Sequence, residues 1–384
     1  MAKKALKKAA TDEKSSNHVL HPTMVEKRSK RAATEQLSNT LGRTMVRKTK
    51  GAAENEQSNG RTCGKEPERK VKNEKKPSNG FAKSVNSSSA NVAGGDIRGV
   101  HIPQHVHDFF AHAKRLSGDN PLCAFEKLVA ARLVGLFELL GNGLTALDDN
   151  QLRLHYRYAT DLPEMQTVIV TDAGRYCLWR DVPNSEDSWI IYVSDDDRFP
   201  KIELVGNRME HALVHLGDKV KTDVKEFLPK SMNATKLRED MKSVCALRHK
   251  KKLGKAPNAV GLWVEVTNDV GYRPLPDTPE KLRETLDLIC ETDNASLRQR
   301  RMQRVMEIVT FVQLGNDECD FGMGLELGYW LFLANHETLD KLTHRILSTA
   351  YTLLKRDEYK TILDAQMAPG MRRRSDVDMR RANQ

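Results

Sequence analysis

Residues 100–116, VHIPQHVHDFFAHAKRL, carry apolar and aromatic side chains at helical spacing, so ordered structure is expected to begin near Val100. Asn120-Pro121 opens a second expected helix, PLCAFEKLVAARLVGLFELLG, closed by Gly141. The period then changes. LRLHYRYAT (152–160), QTVIVTD (166–172), RYCLWRD (175–181), SWIIYVSD (188–195) and KIELVG (201–206) are short and rich in β-branched and aromatic residues. Asp, Gly, Pro and Asn punctuate them. Strands this closely spaced predict an antiparallel meander rather than βαβ units. NRMEHALVHLGDKVKTDVKEFL returns to a helical period.

KLREDMKSVCALRHKKKLGKAPN (236–258) reads as a helix running into a basic linker, and VGLWVEVT (260–267) as a strand or extended segment. Three further helices are expected over 279–290, about 296–312 and 338–355. Leu282, Leu286, Val305, Ile308, Leu339, Leu342 and Ile346 repeat at helical spacing within them, as core positions do. The fold class is therefore α+β. An α+β domain spans 96–235, and a mostly helical domain spans 236–365.

Charge changes the picture at the two ends. The chain has 384 residues and net charge +10, with a hydrophobic content of 39%. Residues 1–95 carry about +12 of that charge and few aromatics. Such a segment buries too little surface to offset its chain entropy, so it is expected to be a disordered basic tail. Residues 366–384 add about +3 through Arg372, Arg373, Arg374, Arg380 and Arg381, and are expected to form a second basic tail. The body between them is mildly acidic, about −5. Nucleic acid could then be touched weakly by the tails, while the body suits a basic partner. Lys3-Lys4, Lys7-Lys8 and Lys27-Arg28-Ser29-Lys30-Arg31 suit nuclear import. No signal-type apolar segment and no membrane-length apolar run is present, so no membrane role is expected. The six cysteines form no CxxC and read as reduced thiols.

Most motifs resolve into packing. His211 and His215 lie four apart, but Ala212 stands where a zincin needs its glutamate, and no metal site is expected. His101, His105, His107 and His112 lack acidic or thiol partners at ligand spacing. GMGLELG (322–328) looks like a phosphate loop, but its spacing and context suit close helix packing instead. In QLGNDECDFGMGLELG, Asp317, Glu318 and Asp320 gather where an amphipathic helix ends and the chain turns. Carboxylates this close repel, which tends to raise one pKa and suit it to base catalysis. Cation binding and simple helix capping remain open beside that reading. NDVGYRPLP (268–276) presents Tyr272 and Arg273 from a loop, either as a contact surface or as a core cover with a solvated arginine.

Taken together, NDVGYR-LP, FVQ--NDECD-GMGLELG and YTLLKR, in this order, resemble the histone PARylation factor family. Weaker similarity reaches back through PEMQTVIV and LHYRY, so the resemblance covers roughly residues 100–365. Cys63 stands alone, so the zinc finger that some relatives carry is not expected. The resemblance implies a nuclear, chromosome-associated cofactor that completes the active site of a poly(ADP-ribose) polymerase. It implies that Glu318 is the catalytic base for ADP-ribosylation of serine on histones. Asp317, Arg273, Tyr272, Asp320 and Asp269 would contact the partner, with Arg273 also orienting Glu318. The chain itself would bind no cofactor, because NAD is held by the polymerase. A non-catalytic chromatin adaptor and a stand-alone metal-dependent hydrolase are the competing readings.

Overall fold

The structure, a computed structural model, describes residues 100–128 and 131–373. The expected tail 1–95, with its import clusters, lies outside the described residues, as do the last residues from Arg374.

Five strands form one antiparallel sheet in sequence order: β1 Arg132–Leu133, β2 Met165–Thr171, β3 Gly174–Trp179, β4 Trp189–Val193 and β5 Ile202–Gly206. This is the expected meander. The alternation along β3 and β4 explains what lies on each side. Tyr176, Leu178, Ile190 and Tyr192 face a core closed by α1 (Gln104–Leu116), α2 (Leu136–Leu140) and α4 (Met209–Val220). Cys177, Trp179, Ile191 and Val193 face the opposite core, built from the C-terminal helices. Two layers thus share one sheet, and they do not divide at 235/236: Leu237 belongs to the first core, and Leu162, Met165 and Phe199 to the second.

Two expected elements are replaced. The helix anticipated from Pro121 to Gly141 breaks into a 3-10 turn, Pro121–Cys123, then β1, then the five-residue α2. The free edge of β2 competes for this segment, pairing Arg132 with Val170 and Leu133 with Ile169. Gly135 permits the corner: its φ is 60°, and a Cβ there would lie 2.5 Å from the Thr167 carbonyl oxygen. Gly141 does close the helix. The strand anticipated over 152–160 is instead α3, Asp149–Leu154, followed by turns. Asp148 caps it, accepting from the Gln151 amide at 2.8 Å while the Gln151 side chain accepts from Asp148 N–H at 2.8 Å. That reciprocal signal outweighs the β-like residues after it. α4 also stops earlier than its pattern, at Lys221, whose φ is 55°.

α5 (Ala234–Lys251) packs on α4 and β5, with Leu237 in the N-terminal core, whereas the opposite layer contains α6 (Pro279–Glu291), α7 (Ala295–Asp317), α8 (Phe321–Leu333), α9 (Glu337–Leu353) and α10 (Asp357–Gln366). Val260, Leu262 and Val264 of the expected extended segment are buried in the same core. α7 runs five residues beyond the expected end. α8 is buried on all sides from Gly322 to Leu333, which is why it shows no polar face in sequence. Gly328 lets α9 approach, since a Cβ there would meet Leu347 Cδ2 at 2.2 Å.

Buried polar groups join the layers. Glu164, ahead of β2, accepts from Tyr329 Oη at 2.6 Å and Tyr351 Oη at 2.9 Å. Burial pushes its carboxyl above the usual carboxylate range, opposed by these hydroxyls and by Arg356. Asp161 takes two bonds from Arg175, at 3.1 and 2.7 Å. Arg372, counted in sequence with the C-terminal basic tail, is buried. It donates to Ala159 O, Phe332 O and Asp340 Oδ1, and lies over the Phe332 ring. Its charge secures the body rather than extending from it.

Candidate functional site at the turn between two C-terminal helices

α7 ends in a Schellman closure. Asp320 N–H donates to Gly315 O at 2.7 Å, and Cys319 N–H to Asn316 O at 3.1 Å. Asp317 is the last helical residue and Glu318 the C-cap. Cys319 supplies the left-handed residue, φ 65°, where glycine is usual. α8 restarts directly at Phe321. This three-residue turn points Glu318 outward, with 57% of its side chain exposed, while the Asp320 side chain is 5% exposed.

A segment about 45 residues earlier docks against that turn. Thr267 and Val270 exchange backbone hydrogen bonds at 2.9 and 3.0 Å around Asn268 and Asp269, both at positive φ. This is a two-residue hairpin of the I′ type, with Asp269 at its tip. Gly271, at φ 131°, then passes within contact of the Glu265 carbonyl, where a Cβ would lie 2.1 Å from oxygen. Asp320 Oδ1 accepts from Gly271 N–H at 3.0 Å, and Gly322 N–H donates to Gly271 O at 2.9 Å. Gly322 must lack a side chain for this approach: its Cβ would meet Val264 Cγ2 at 2.9 Å and Gly271 O at 3.0 Å.

The docked segment delivers Tyr272 and Arg273. Arg273 Nη2 donates to Glu318 Oε2 and lies 3.0 Å from Asp320 Oδ2. Its hydrogen bond with Glu318 raises the already high guanidinium pKa. Tyr272 Oη donates to Glu326 Oε2 at 2.8 Å, and Glu326 Oε1 accepts from Lys255 N–H at 2.6 Å. Burial pushes the Glu326 carboxyl up. Tyr272 therefore faces inward as a strut, while Arg273 stays at the surface.

The six residues singled out in sequence thus separate by role. Glu318, Arg273 and Asp320 form one cluster. Tyr272 adjoins it but pairs with a different carboxylate. Asp317 and Asp269 are exposed, and among the described residues neither side chain makes a hydrogen bond or ion pair. The expectation of three mutually repelling acids omitted the guanidinium now set against two of them. Neighbouring cavities of about 260 and 470 Å³ are lined by Tyr272 and Glu326, and by Gly271 and Cys319, respectively. Neither is lined by Glu318 or Arg273.

Sequence reasoning missed two features. Glu326, inside an apolar run, was readable as a buried polar group needing partners. Phe311 and Leu314, 49% and 51% exposed, lie on α7 ahead of Glu318, and Val266 and Val270 are similarly exposed on the hairpin. Grouped exposed apolar side chains beside a polar cluster mark a contact surface. Among the described residues, no group of His, Cys, Asp and Glu could hold a metal, and no helix is long and apolar enough to cross a membrane.

The turn presents an outward-facing carboxylate on a partly apolar surface. The Histone PARylation factor 1 family model matches residues 94–369, and the chain belongs to that family. Histone PARylation factor 1 of Bos taurus is 31% identical over 302 residues, covering 72% of this chain and 85% of the relative. The Mus musculus protein of the same name is 30% identical, covering 70% and 83%. The Danio rerio protein is 28% identical, covering 70% and 82%.

Proposed function

We propose that this chain is a nuclear cofactor of a poly(ADP-ribose) polymerase and lends Glu318 to a joint active site that modifies serine on histones. Family membership supports the histone PARylation role. The single observation that carries the catalytic part is Glu318 itself: an exposed carboxylate at a helix end, oriented by Arg273.

In the joint site the partner holds NAD, and this chain binds no cofactor. A serine hydroxyl attacks poorly until its proton is removed. Glu318 takes that proton as the serine oxygen bonds to the anomeric carbon of the ribose, and nicotinamide leaves with the electrons of the broken glycosidic bond. Arg273 orients the carboxylate before docking and must yield part of its hydrogen bonding as Glu318 becomes the base. Asp317 and Asp269, unpaired and exposed, contact the partner together with Phe311 and Leu314. The acidic body favours the basic residues of histone tails.

The unpaired acids also favour a second reading, a chromatin adaptor that docks partners and performs no chemistry. A mixture of this chain, a DNA-activated polymerase, NAD and a histone tail separates the two. Glu318→Ala is expected to bind the polymerase normally and give no serine modification, whereas Arg273→Ala binds weakly. Undiminished serine modification with Glu318→Ala overturns the catalytic role and leaves the adaptor.

A further inference from the structure

Far from the α7–α8 turn in its lining residues, a cavity of about 410 Å³ opens between α3, α10 and the segment entering α1. Its size lies in the range of small-molecule sites. Leu152, Pro183, Tyr359 and Ile362 give it an apolar wall.

Three arginines line the same cavity: Arg153, Arg157 and Arg180. Their bonds go to neutral acceptors. Buried Arg157 donates to Arg153 O at 3.1 Å, Leu162 O at 2.9 Å and Met165 O at 2.6 Å. Arg180 donates to His101 O at 2.9 Å, and Arg153 to Asn150 Oδ1 at 3.2 Å. Among the described residues none of the three forms an ion pair. The closest buried carboxylates are already taken, Asp161 by Arg175 and Glu164 by two tyrosines. Gln166 also lines the cavity, and its amide makes no hydrogen bond among the described residues. Two carboxylates do line it, Asp149 and Glu358, but both are exposed in the first turns of α3 and α10. Glu358 accepts from Asn184 Nδ2 at 3.3 Å.

Buried cations are ordinarily matched by anions, because desolvation of the unpaired charge is costly. Burial holds Arg157 and Arg180 below the ordinary arginine value; at Arg157 the nearby Asp161 opposes this, and Arg180 adds to it to a smaller extent. Arg157 is buried and Arg153 and Arg180 are half-buried, whereas both acids are exposed. We propose that this cavity binds a small organic phosphate, with the phosphoryl group held by Arg180, Arg157, Arg153 and Gln166 and the organic part against the apolar wall. Guanidinium forks match phosphate oxygens in geometry, and a dianion best balances several of them. The proposal is independent of the role of Glu318.

Calorimetric titration of the full chain tests it, with AMP, adenosine, phosphoserine and inorganic phosphate as probes. AMP is expected to saturate one site, with adenosine at least tenfold weaker. Phosphoserine binding as tightly as AMP supports a phosphorylated side chain as the source, and preference for AMP supports a nucleotide. Arg180→Gln is expected to weaken AMP at least tenfold with an unchanged unfolding midpoint. Arg153→Gln, at a less buried position, provides the same reading if Arg180→Gln does not fold. Lys250→Gln should bind as wild type does, which excludes general basic attraction. Absence of saturable AMP binding, equal binding of adenosine, or wild-type affinity in both folded arginine variants overturns the site.

Discussion

Glu164 lies beneath the sheet with its two carboxylate oxygens bonded to Tyr329 and Tyr351, whereas Glu318 stands in solvent at a helix end beside one arginine. Perturbed acids often mark functional sites. Here burial raises Glu164, yet its neighbours satisfy it fully and it joins β2 to α8 and α9. Glu318 is the more accessible group and the candidate for chemistry. A carboxylate's availability to another molecule, more than its perturbation, separates the two regions.

The largest expected effect is on the buried side. Glu164→Ala strands two buried tyrosine hydroxyls and leaves a void, with an expected cost of about 3–5 kcal/mol in denaturant unfolding. A cost of only a few tenths would remove Glu164 as the link between the layers. Its titration sharpens the point. The folded chain binds the Glu164 proton more tightly than the unfolded chain, because burial raises this carboxyl. Its contribution is therefore full below the unfolded carboxyl value of about 4.3 and declines as pH rises through the higher folded value. The stability of wild type relative to Glu164→Gln should fall from pH 4 to pH 7. A difference independent of pH would contradict the raised carboxyl.

Glu318→Gln probes the open side. Serine transfer in the polymerase mixture is expected to drop by about 10²–10⁴, the range for a lost general base. The unfolding midpoint should not move. Concerted loss of stability would place Glu318 with Glu164 as a structural acid and erase the contrast.

Asp320 belongs between them. It is buried like Glu164, yet it holds the loop that carries Arg273. Asp320→Ala leaves Gly271 N–H without its acceptor and is expected to cost about 1–3 kcal/mol. Amide exchange should rise over 268–276 more than in the sheet, and uniform exchange would show that the loop is held otherwise. The smallest effect concerns Cys319. Its left-handed backbone favours glycine, so Cys319→Gly should stabilise the chain by about 0.5–1 kcal/mol without affecting polymerase binding. A destabilised variant would mean that the cysteine side chain contributes packing that outweighs the backbone gain.

Much of the scaffold was legible from local pattern. β2 to β5 follow short runs of β-branched and aromatic residues, and α6, α7 and α9 follow the helical period. The errors fall where distant residues compete. β1 sits inside a helix-like run because an unpaired edge of β2 accepts it. α8 extends through a fully apolar run, in which periodicity has no polar face to register. For the site, the acidic string and the Tyr-Arg loop were visible, but their relation was not. In sequence Tyr272 could equally meet a partner or cover the core, and in the fold its hydroxyl bonds Glu326.

What the sequence determined by itself is the run of strands β2 to β5, the helical period of α6, α7 and α9, the basic charge toward the ends, the acidic string at a helix end, and the family to which these strings are similar. These depend on nearest neighbours along the chain or on a contiguous motif. Tertiary structure alone decided that Arg273 meets Glu318 and Asp320, that Arg372 is buried against Asp340, and that three arginines share a cavity with no buried carboxylate. Each is a contact between residues far apart in sequence. Periods of 2 and 3.6 set which face a residue occupies, whereas the packing of both helical layers on the sheet sets what that face meets.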